Sequence, residues 1–285
     1  MAGAGFPGAG YMPLSMRAGA PGGFAPAYDA FADSIVHAYE PARRVLSTYT
    51  GSLVRLRRAS DNAERNFTYL ANGNLDVAAI AAWAGGASYV VTVYDQGGFA
   101  DNVTMAVAAN QPLYVANARN GHAGMLHDGT SDHLEGAFTT GGALSQPFGI
   151  YAVSQLDNSI IADGDYHYLA TDDTAAVSVL YKNNSDKWAI YSGALLAGNP
   201  ADANWKIWST LFNGASSQFW LNGVSEAAGN AGAVNSDGLT VGARFDGTAN
   251  FWKGYIVSMI ICDPSLSDAQ RVAMQVQMNS YWGVF

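Results

Sequence analysis

Strict alternation opens the readable part of the chain. In Ser52–Arg58 the apolar Val54 and Leu56 interleave with Arg55 and Arg57, the period of a strand with one buried face. Ser88–Tyr94 is a run of β-branched and aromatic residues and predicts a second strand. Shorter runs of the same kind follow at Leu113–Ala116, Met125–His127, Phe148–Leu156, Tyr166–Ala170, Val177–Tyr181 and Lys187–Ser192. Trp205–Phe212, Gln218–Leu221, Thr240–Arg244 and Tyr255–Asp263 continue the series. Asn-Gly or Asp-Gly pairs beginning at Asn120, Asp128, Asn213, Asn222, Asp237 and Asp246 punctuate them, as tight hairpins require. Helical spacing is confined to a few places. Ala30–His37 carries it, and Pro41 fits the first turn of a helix running to about Tyr49 with Gly51 as its stop. Leu75–Trp83 is a short amphipathic helix closed by Gly85-Gly86. Ser267 with Gln270 forms a capping box for a last helix ending near Tyr281. The pattern predicts an all-β, two-sheet antiparallel sandwich with a few short helices.

Composition adds an arm to that body. Residues 1–27 are mostly Gly, Ala and Pro, with isolated Phe6, Tyr11 and Phe24. Such a segment buries too little apolar area to offset chain entropy by itself. It reads as an extended arm whose Phe6, Tyr11 and Phe24 seat on a partner surface, or as one folded back on the domain of residues 28–285. Elsewhere 32 glycines and a 12% aromatic share suit strands joined by tight turns around an aromatic core. Only 13% of residues are charged, which points to a surface partly covered by partners or by further copies of the chain.

A net charge of −9 argues against nucleic acid, because phosphate binding needs a basic face. Arg43, Arg44, Arg55, Arg57 and Arg58 form the one basic cluster, read as an anion patch or as the polar face of the strand at Val54 and Leu56. The sole cysteine, Cys262, lies in the apolar run Ile256–Cys262 and reads as a small buried hydrophobe, so no intrachain disulfide forms. No basic stretch followed by an apolar run marks a signal peptide, and no apolar run is long enough to span a bilayer. These features predict folding in a reducing host cytoplasm, with the sequons at Asn66, Asn102 and Asn183 chance matches.

Tyr49-Thr-Gly51, Arg57-Arg-Ala-Ser-Asp61 and Val93-Tyr-Asp-Gln96 follow one another through a helix end, a strand, a polar turn, a short helix and a strand. That order resembles the opening of α-L-arabinofuranosidase catalytic domains, jelly rolls of the concanavalin A-like lectin/glucanase type. Val241-Gly-Ala-Arg244, Asn250-Phe-Trp-Lys-Gly-Tyr255, Leu266-Ser-Asp-Ala-Gln-Arg271 and Tyr281-Trp282 resemble the closing strands and helix of laminin-G-like modules, many of them in phage and bacterial surface proteins. The resemblance implies a jelly roll over roughly Ala30–Phe285.

It also implies an acid/base aspartate at Asp246, four residues after the matching Gly242, although Asp246-Gly247 reads equally as a hairpin turn. A retaining glycosidase needs a second carboxylate as nucleophile. The family keeps a glutamate there, between a vicinal cysteine pair and the strand matching Lys187-Trp-Ala-Ile190. Here the glutamates are Glu40, Glu64, Glu135 and Glu226, and the span from Asp157 to Lys187 has none. The cysteine pair is missing too. A shift in register would put Asp172-Asp173 in its place. His122, His127, His133 and His167 match no zinc spacing. Asp128, Asp132, Asp163, Asp165, Asp172 and Asp173 crowd Gly-rich loops and are calcium candidates or simply solvated turns. Sugar binding is assigned to Trp205, Asn204, Trp252 and Asp246, with Trp188 and Trp220 pointing inward. The resulting expectation is a non-catalytic virion component on a lectin-like jelly roll, anchored by its arm to capsid or tail proteins, homo-oligomeric and in contact with a surface glycan. The alternative is an arabinofuranosidase-like glycoside hydrolase or a free carbohydrate-binding lectin.

Overall fold

The computed structural model describes residues 27–175 and 178–285, so the arm with Phe6, Tyr11 and Phe24 lies outside the described residues. Strands in chain order are β1 (Ile35–Tyr39), β2 (Val54–Arg58), β3 (Glu64–Phe67), β4 (Ser88–Val93), β5 (Val103–Thr104) and β6 (Leu113–Arg119). Next come β7 (His122–Asp128), β8 (Leu134–Ala137), β9 (Gly149–Leu156), β10 (His167–Thr171), β11 (Val179–Lys182) and β12 (Lys187–Tyr191). The last six are β13 (Leu195–Pro200), β14 (Lys206–Leu211), β15 (Ser217–Leu221), β16 (Val224–Gly229), β17 (Gly238–Val241) and β18 (Lys253–Cys262). Helix α1 spans Val77–Ala84 and α2 spans Asp268–Trp282.

The ladder is antiparallel at every pairing and folds over into two layers. The first runs β16-β15-β14-β9-β18-β7-β6 and the second β3-β2-β4-β5-β8-β17-β10-β11-β12-β13. The layers meet through a single pair, Tyr89 of β4 opposite Leu113 of β6. The result is the all-β sandwich that the alternation predicts, jelly-roll-like as the resemblance implies.

Between the layers lie Trp188, Trp208, Trp252, Phe148, Phe212 and Phe219, all buried. Trp188 meets Trp208 edge-on at 5.3 Å, and the Trp208 Nε1 donates to Ser154 Oγ at 3.0 Å. Each such side chain, fully buried, stabilises the fold by about 1.5–3 kcal/mol. A second core covers the outside of the first layer. There Met274, Met278 and Trp282 of α2 pack with Tyr151, Val153, Ile207, Val257, Ile260 and Cys262. With both faces covered, β9 and β18 lose the hydrophobic alternation of a one-sided strand and read as continuous apolar runs. Trp220 is buried, but beneath Arg271 of α2, whose guanidinium sits 3.9 Å from its ring.

Two helices expected near the N-terminus do not form. The second half of β18 extends past β7 and leaves an open edge, which β1 fills with Tyr39 opposite Met259 and Ile35 opposite Cys262. That long-range pairing overrides the weak helical spacing of Ala30–His37, leaving only a 3-10 turn at Asp29–Phe31. Beyond Pro41 the backbone is held by one side chain instead of by a helix. Gln96 Nε2 donates to the carbonyls of Glu40 and Arg43, and its Oε1 accepts from the Val45 amide. The short strands β3, β5, β8, β13 and β16 are also absent from the apolar pattern, since β5 is only two residues long and the others are polar or largely exposed.

Candidate functional site

The outward face of the second layer carries the chemistry. On β17, Leu239 and Val241 point into the core, so Thr240 between them faces out. Directly opposite Thr240 on β8 stands Glu135, which is exposed, and opposite Glu135 on β5 stands Thr104. Side chains facing one another across such pairs lie about 5 Å apart. The Thr240 hydroxyl donates to the Phe245 carbonyl at 3.5 Å, which brings the segment carrying Asp246 over this part of the face.

Asp246 itself is gripped by a guanidinium fork: Arg244 Nε donates to Oδ1 at 2.9 Å and Nη2 to Oδ2 at 2.5 Å. The Thr248 amide adds a bond to Oδ1 at 3.2 Å. Arg244, and after it Thr248, hold the Asp246 carboxyl well below the usual carboxylate range. It is therefore an anion at neutral pH, which suits a base, a nucleophile or a stabiliser of positive charge, and not a proton donor.

Further across the same face, on β10 to β12, four tyrosines line a cavity of about 250 Å³. They are Tyr166, Tyr168, Tyr181 and Tyr191, with Val179. Tyr168 meets Tyr181 edge-on at 5.2 Å, and Tyr166 stacks along Tyr181 at 6.1 Å. Burial pushes the phenols of Tyr168 and Tyr181 up, so both stay protonated and available as donors. Tyr168 sits beside the Asp246 segment, since its amide donates to the Asn250 carbonyl at 2.8 Å. Glu135 lies two strands from Thr171 of β10, roughly 10 Å at the usual strand spacing, and Tyr168 stands three residues further along that strand. One face thus holds an anionic aspartate, an exposed glutamate and an aromatic hollow.

Of the predicted sugar-binding residues, only Asp246 belongs to this face. Trp252 is completely buried and stacks on Trp188 at 6.4 Å, which leaves no ring face for a ligand and corrects the expectation. Trp205 is half-buried on the other layer, stacked on Tyr255 at 5.5 Å with Arg119 5.6 Å from its ring. Its neighbour Asn204 is exposed and donates its amide to Asp202. Sequence reasoning set Glu135 aside as lying in the wrong segment, and it counted Tyr166, Tyr168 and Tyr191, but not Tyr181, among the aromatic candidates for a sugar platform. The alternation in Leu134–Ala137 was the available signal for Glu135, but four residues are too few to read.

The calcium candidates separate. Asp163 is tied to Lys182 and His167, and Asp128 and Asp132 shape the turn after β7. Among the described residues one group converges, Asp172 and Asp173 with Asp237, whose oxygens lie within 4.8 Å of one another. Burial, and then the neighbouring Asp237, raise the Asp172 carboxyl to about 7. The trio sits at the start of β17, at the end opposite Asp246, so Asp172 and Asp173 do not stand in for the missing nucleophile. The arginines are mostly paired: Arg43 with Glu40, Arg55 with Glu64 and Arg58 with Asp61. Arg57 instead donates to Gln111, Asn62 and the Ala108 carbonyl.

Residues 27–155 match the family model described as alpha-L-arabinofuranosidase B, catalytic, a stretch shorter than half of the chain. A solved arabinofuranosidase complexed with arabinofuranosyl-α-1,2-xylobiose superposes with a TM-score of 0.66 at 18% identity, covering 90% of this chain and 64% of that one. A mutant GH54 α-L-arabinofuranosidase soaked with 4-nitrophenyl α-L-arabinofuranoside gives a TM-score of 0.65 at 16% identity, with coverages of 90% and 64%. The binding domain of botulinum neurotoxin serotype D follows at a TM-score of 0.50 and 10% identity, covering 82% of this chain and 54% of that one. The chain thus spans less than two thirds of the solved proteins it resembles. No curated protein sequence matches. At these identities the structural likeness is one of fold. The family match overturns both the expected virion role and the expectation that the chain is not an enzyme. That expectation leaned on the absent glutamate between Asp157 and Lys187, and the fold brings Glu135 to the face from another strand.

Proposed function

We propose that the chain is a glycoside hydrolase domain of arabinofuranosidase type, acting on arabinofuranosyl groups of a polysaccharide. The observation that carries this reading is the anionic Asp246, fixed by the Arg244 fork beside a tyrosine-lined hollow, on a sandwich of arabinofuranosidase-like fold. Hydrolysis of a glycoside needs one carboxyl to protonate the leaving oxygen and one carboxylate to meet the developing positive charge or to activate water. Asp246 takes the anionic part. This departs from the acid/base role that the resemblance assigns it, because the guanidinium disfavours a proton on Asp246. Glu135, exposed on the same face, is the second carboxyl, and the tyrosines seat the sugar through ring faces and phenol donors.

The test is hydrolysis of 4-nitrophenyl α-L-arabinofuranoside by the purified chain. Asp246→Asn and Glu135→Gln should each lower kcat by about 10²–10⁴-fold while the chain stays folded at the assay temperature. Absence of turnover above the buffer rate in the unmutated chain overturns the hydrolase reading. Turnover that Asp246→Asn abolishes and Glu135→Gln leaves intact removes Glu135 from the mechanism.

A further inference from the structure

A cavity of about 650 Å³ is lined by none of Asp246, Arg244, Glu135 or the four tyrosines. Its floor is a stripe of side chains paired across consecutive strands: Arg57 opposite Tyr89, Tyr89 opposite Leu113, Leu113 opposite Leu126. Residues opposite one another across a ladder project to the same side, so β2, β4, β6 and β7 lay down one continuous strip. Tyr89, Leu113 and Leu126 are each half-buried. Arg57 lies over the Tyr89 ring at 4.7 Å and is locked by Gln111, Asn62 and the Ala108 carbonyl. The walls are polar: Gln111 on one side, Asp128 and Asp132 on the turn after β7, and Asp157 with Lys253 at the far end.

We propose that this cavity is a second binding site, for a neutral oligosaccharide, separate from the face that holds Asp246. An apolar, partly aromatic floor with polar groups converging from the rim is the build of a ligand site. The charges in the walls choose among ligand classes. Arg57 and Lys253 face Asp128 and Asp157, so the cavity has no excess of cations to draw an anion. Asp128 is an anion well supplied with donors from Thr130, Ser131 and the Asp132 amide, which hold its carboxyl down at about 2 against the pull of burial. Asp132 is raised to about 7 by burial and by the nearby Asp128 charge, so near neutral pH it both donates and accepts. A ligand whose every hydroxyl is donor and acceptor at once matches a wall holding fixed donors, fixed acceptors and one group that is either. The CH face of a sugar ring matches the leucine and tyrosine strip.

The inference rests on the glycan-acting reading of the chain but not on its catalysis. It is therefore tested on the Asp246→Asn variant, in which turnover plays no part. The probes are arabinofuranosyl-xylobiose and xylotetraose, titrated by calorimetry, with inorganic phosphate as the anionic control. Leu126→Trp fills the cleft from its floor, and Lys253→Met removes a rim donor without touching the floor. The expected result is saturable binding of an oligosaccharide that Leu126→Trp weakens at least tenfold and Lys253→Met several-fold, with the thermal transition held. Should Leu126→Trp fail to fold, Lys253→Met with Asp157→Asn carries the test. No saturable binding, binding that neither set of variants alters, or binding of phosphate in place of sugar overturns the proposal. Unmutated chain that hydrolyses the aryl arabinofuranoside while Asp246→Asn binds no oligosaccharide leaves the hydrolase reading standing and this one refuted.

Discussion

The pairing of Arg244 with Asp246 decides what this aspartate does, and it is a local matter. Two residues apart on one turn, they form a two-pronged bond that stabilises the charged carboxylate over the neutral acid. Arg244→Met should let the Asp246 ionisation climb toward the ordinary aspartate value of about 3.9. The acid limb of the kcat profile should move to higher pH with it, and carbon-detected NMR titration of the Asp246 carboxyl measures the same shift without substrate. The sign for stability follows from the same depression. A carboxyl lowered in the folded state stabilises the fold above its unfolded value and loses that contribution as pH falls through the folded one. The gap in Tm between the unmutated chain and Arg244→Met should therefore be widest near neutrality and shrink below about pH 3.9. An unshifted midpoint would mean that Arg244 does not set the charge of Asp246.

At the scale of elements, close approach matters as much as hydrophobicity. Gly124 lies on the side of β7 that faces Val257, and a Cβ added there would meet Val257 Cγ1 at 2.3 Å and Ala118 Cβ at 2.9 Å. Val257 is fully buried in the layer under α2 and has little room to turn. Gly124→Ala should destabilise the chain by about 1–3 kcal/mol through overpacking. Adding Val257→Ala should recover part of that loss, with a coupling of about 0.5–3 kcal/mol between the two sites in urea unfolding. Strictly additive losses would show that the glycine answers to backbone shape and not to Val257. The helices make a contrast, because their ends are specified nearby. Ser267 and Gln270 form the reciprocal cap of α2, and Gly85 closes α1 in the left-handed conformation.

Across the whole molecule the first and last described segments are locked together. Glu40, just after β1, accepts from Arg43 Nε at 2.7 Å and from the Ser258 hydroxyl of β18 at 2.6 Å. Arg43 in turn donates to the Tyr28 hydroxyl at 2.8 Å and lies 3.7 Å from the Tyr281 ring of α2. Glu40 is fully buried and Arg43 nearly so. Removing one partner of such a pair strands the other charge, at a cost of about 3–5 kcal/mol, while removing both costs less. Glu40→Ala should accordingly lower stability by about 3–5 kcal/mol in urea melts, and Glu40→Ala with Arg43→Met should recover part of it. A loss under about 1 kcal/mol for Glu40→Ala would show an ordinary surface-like pair.

What the sequence determined by itself is what a few neighbouring residues can encode. Asn120-Gly121 and Asn222-Gly223 adopt the positive φ values of hairpin turns, and the runs expected as strands at Phe148–Leu156 and Tyr255–Asp263 became the central strands of the first layer, Gly149–Leu156 and Lys253–Cys262. The helix at Leu75–Trp83 and the capped C-terminal one formed within a residue or two of their expected bounds. Only the tertiary structure decided the matters that depend on a distant partner. Ile35–Tyr39 became a strand because β18 offers an open edge, and Trp252 is buried because Trp188 comes to meet it. Glu135 reached the Asp246 face because β8 pairs with β17, and Arg57, Tyr89, Leu113 and Leu126 became one strip because their strands are neighbours. Turns and caps are short-range and leave a mark in adjacent residues. Strand partnership is long-range, and a strand's own residues do not say which strand lies beside it.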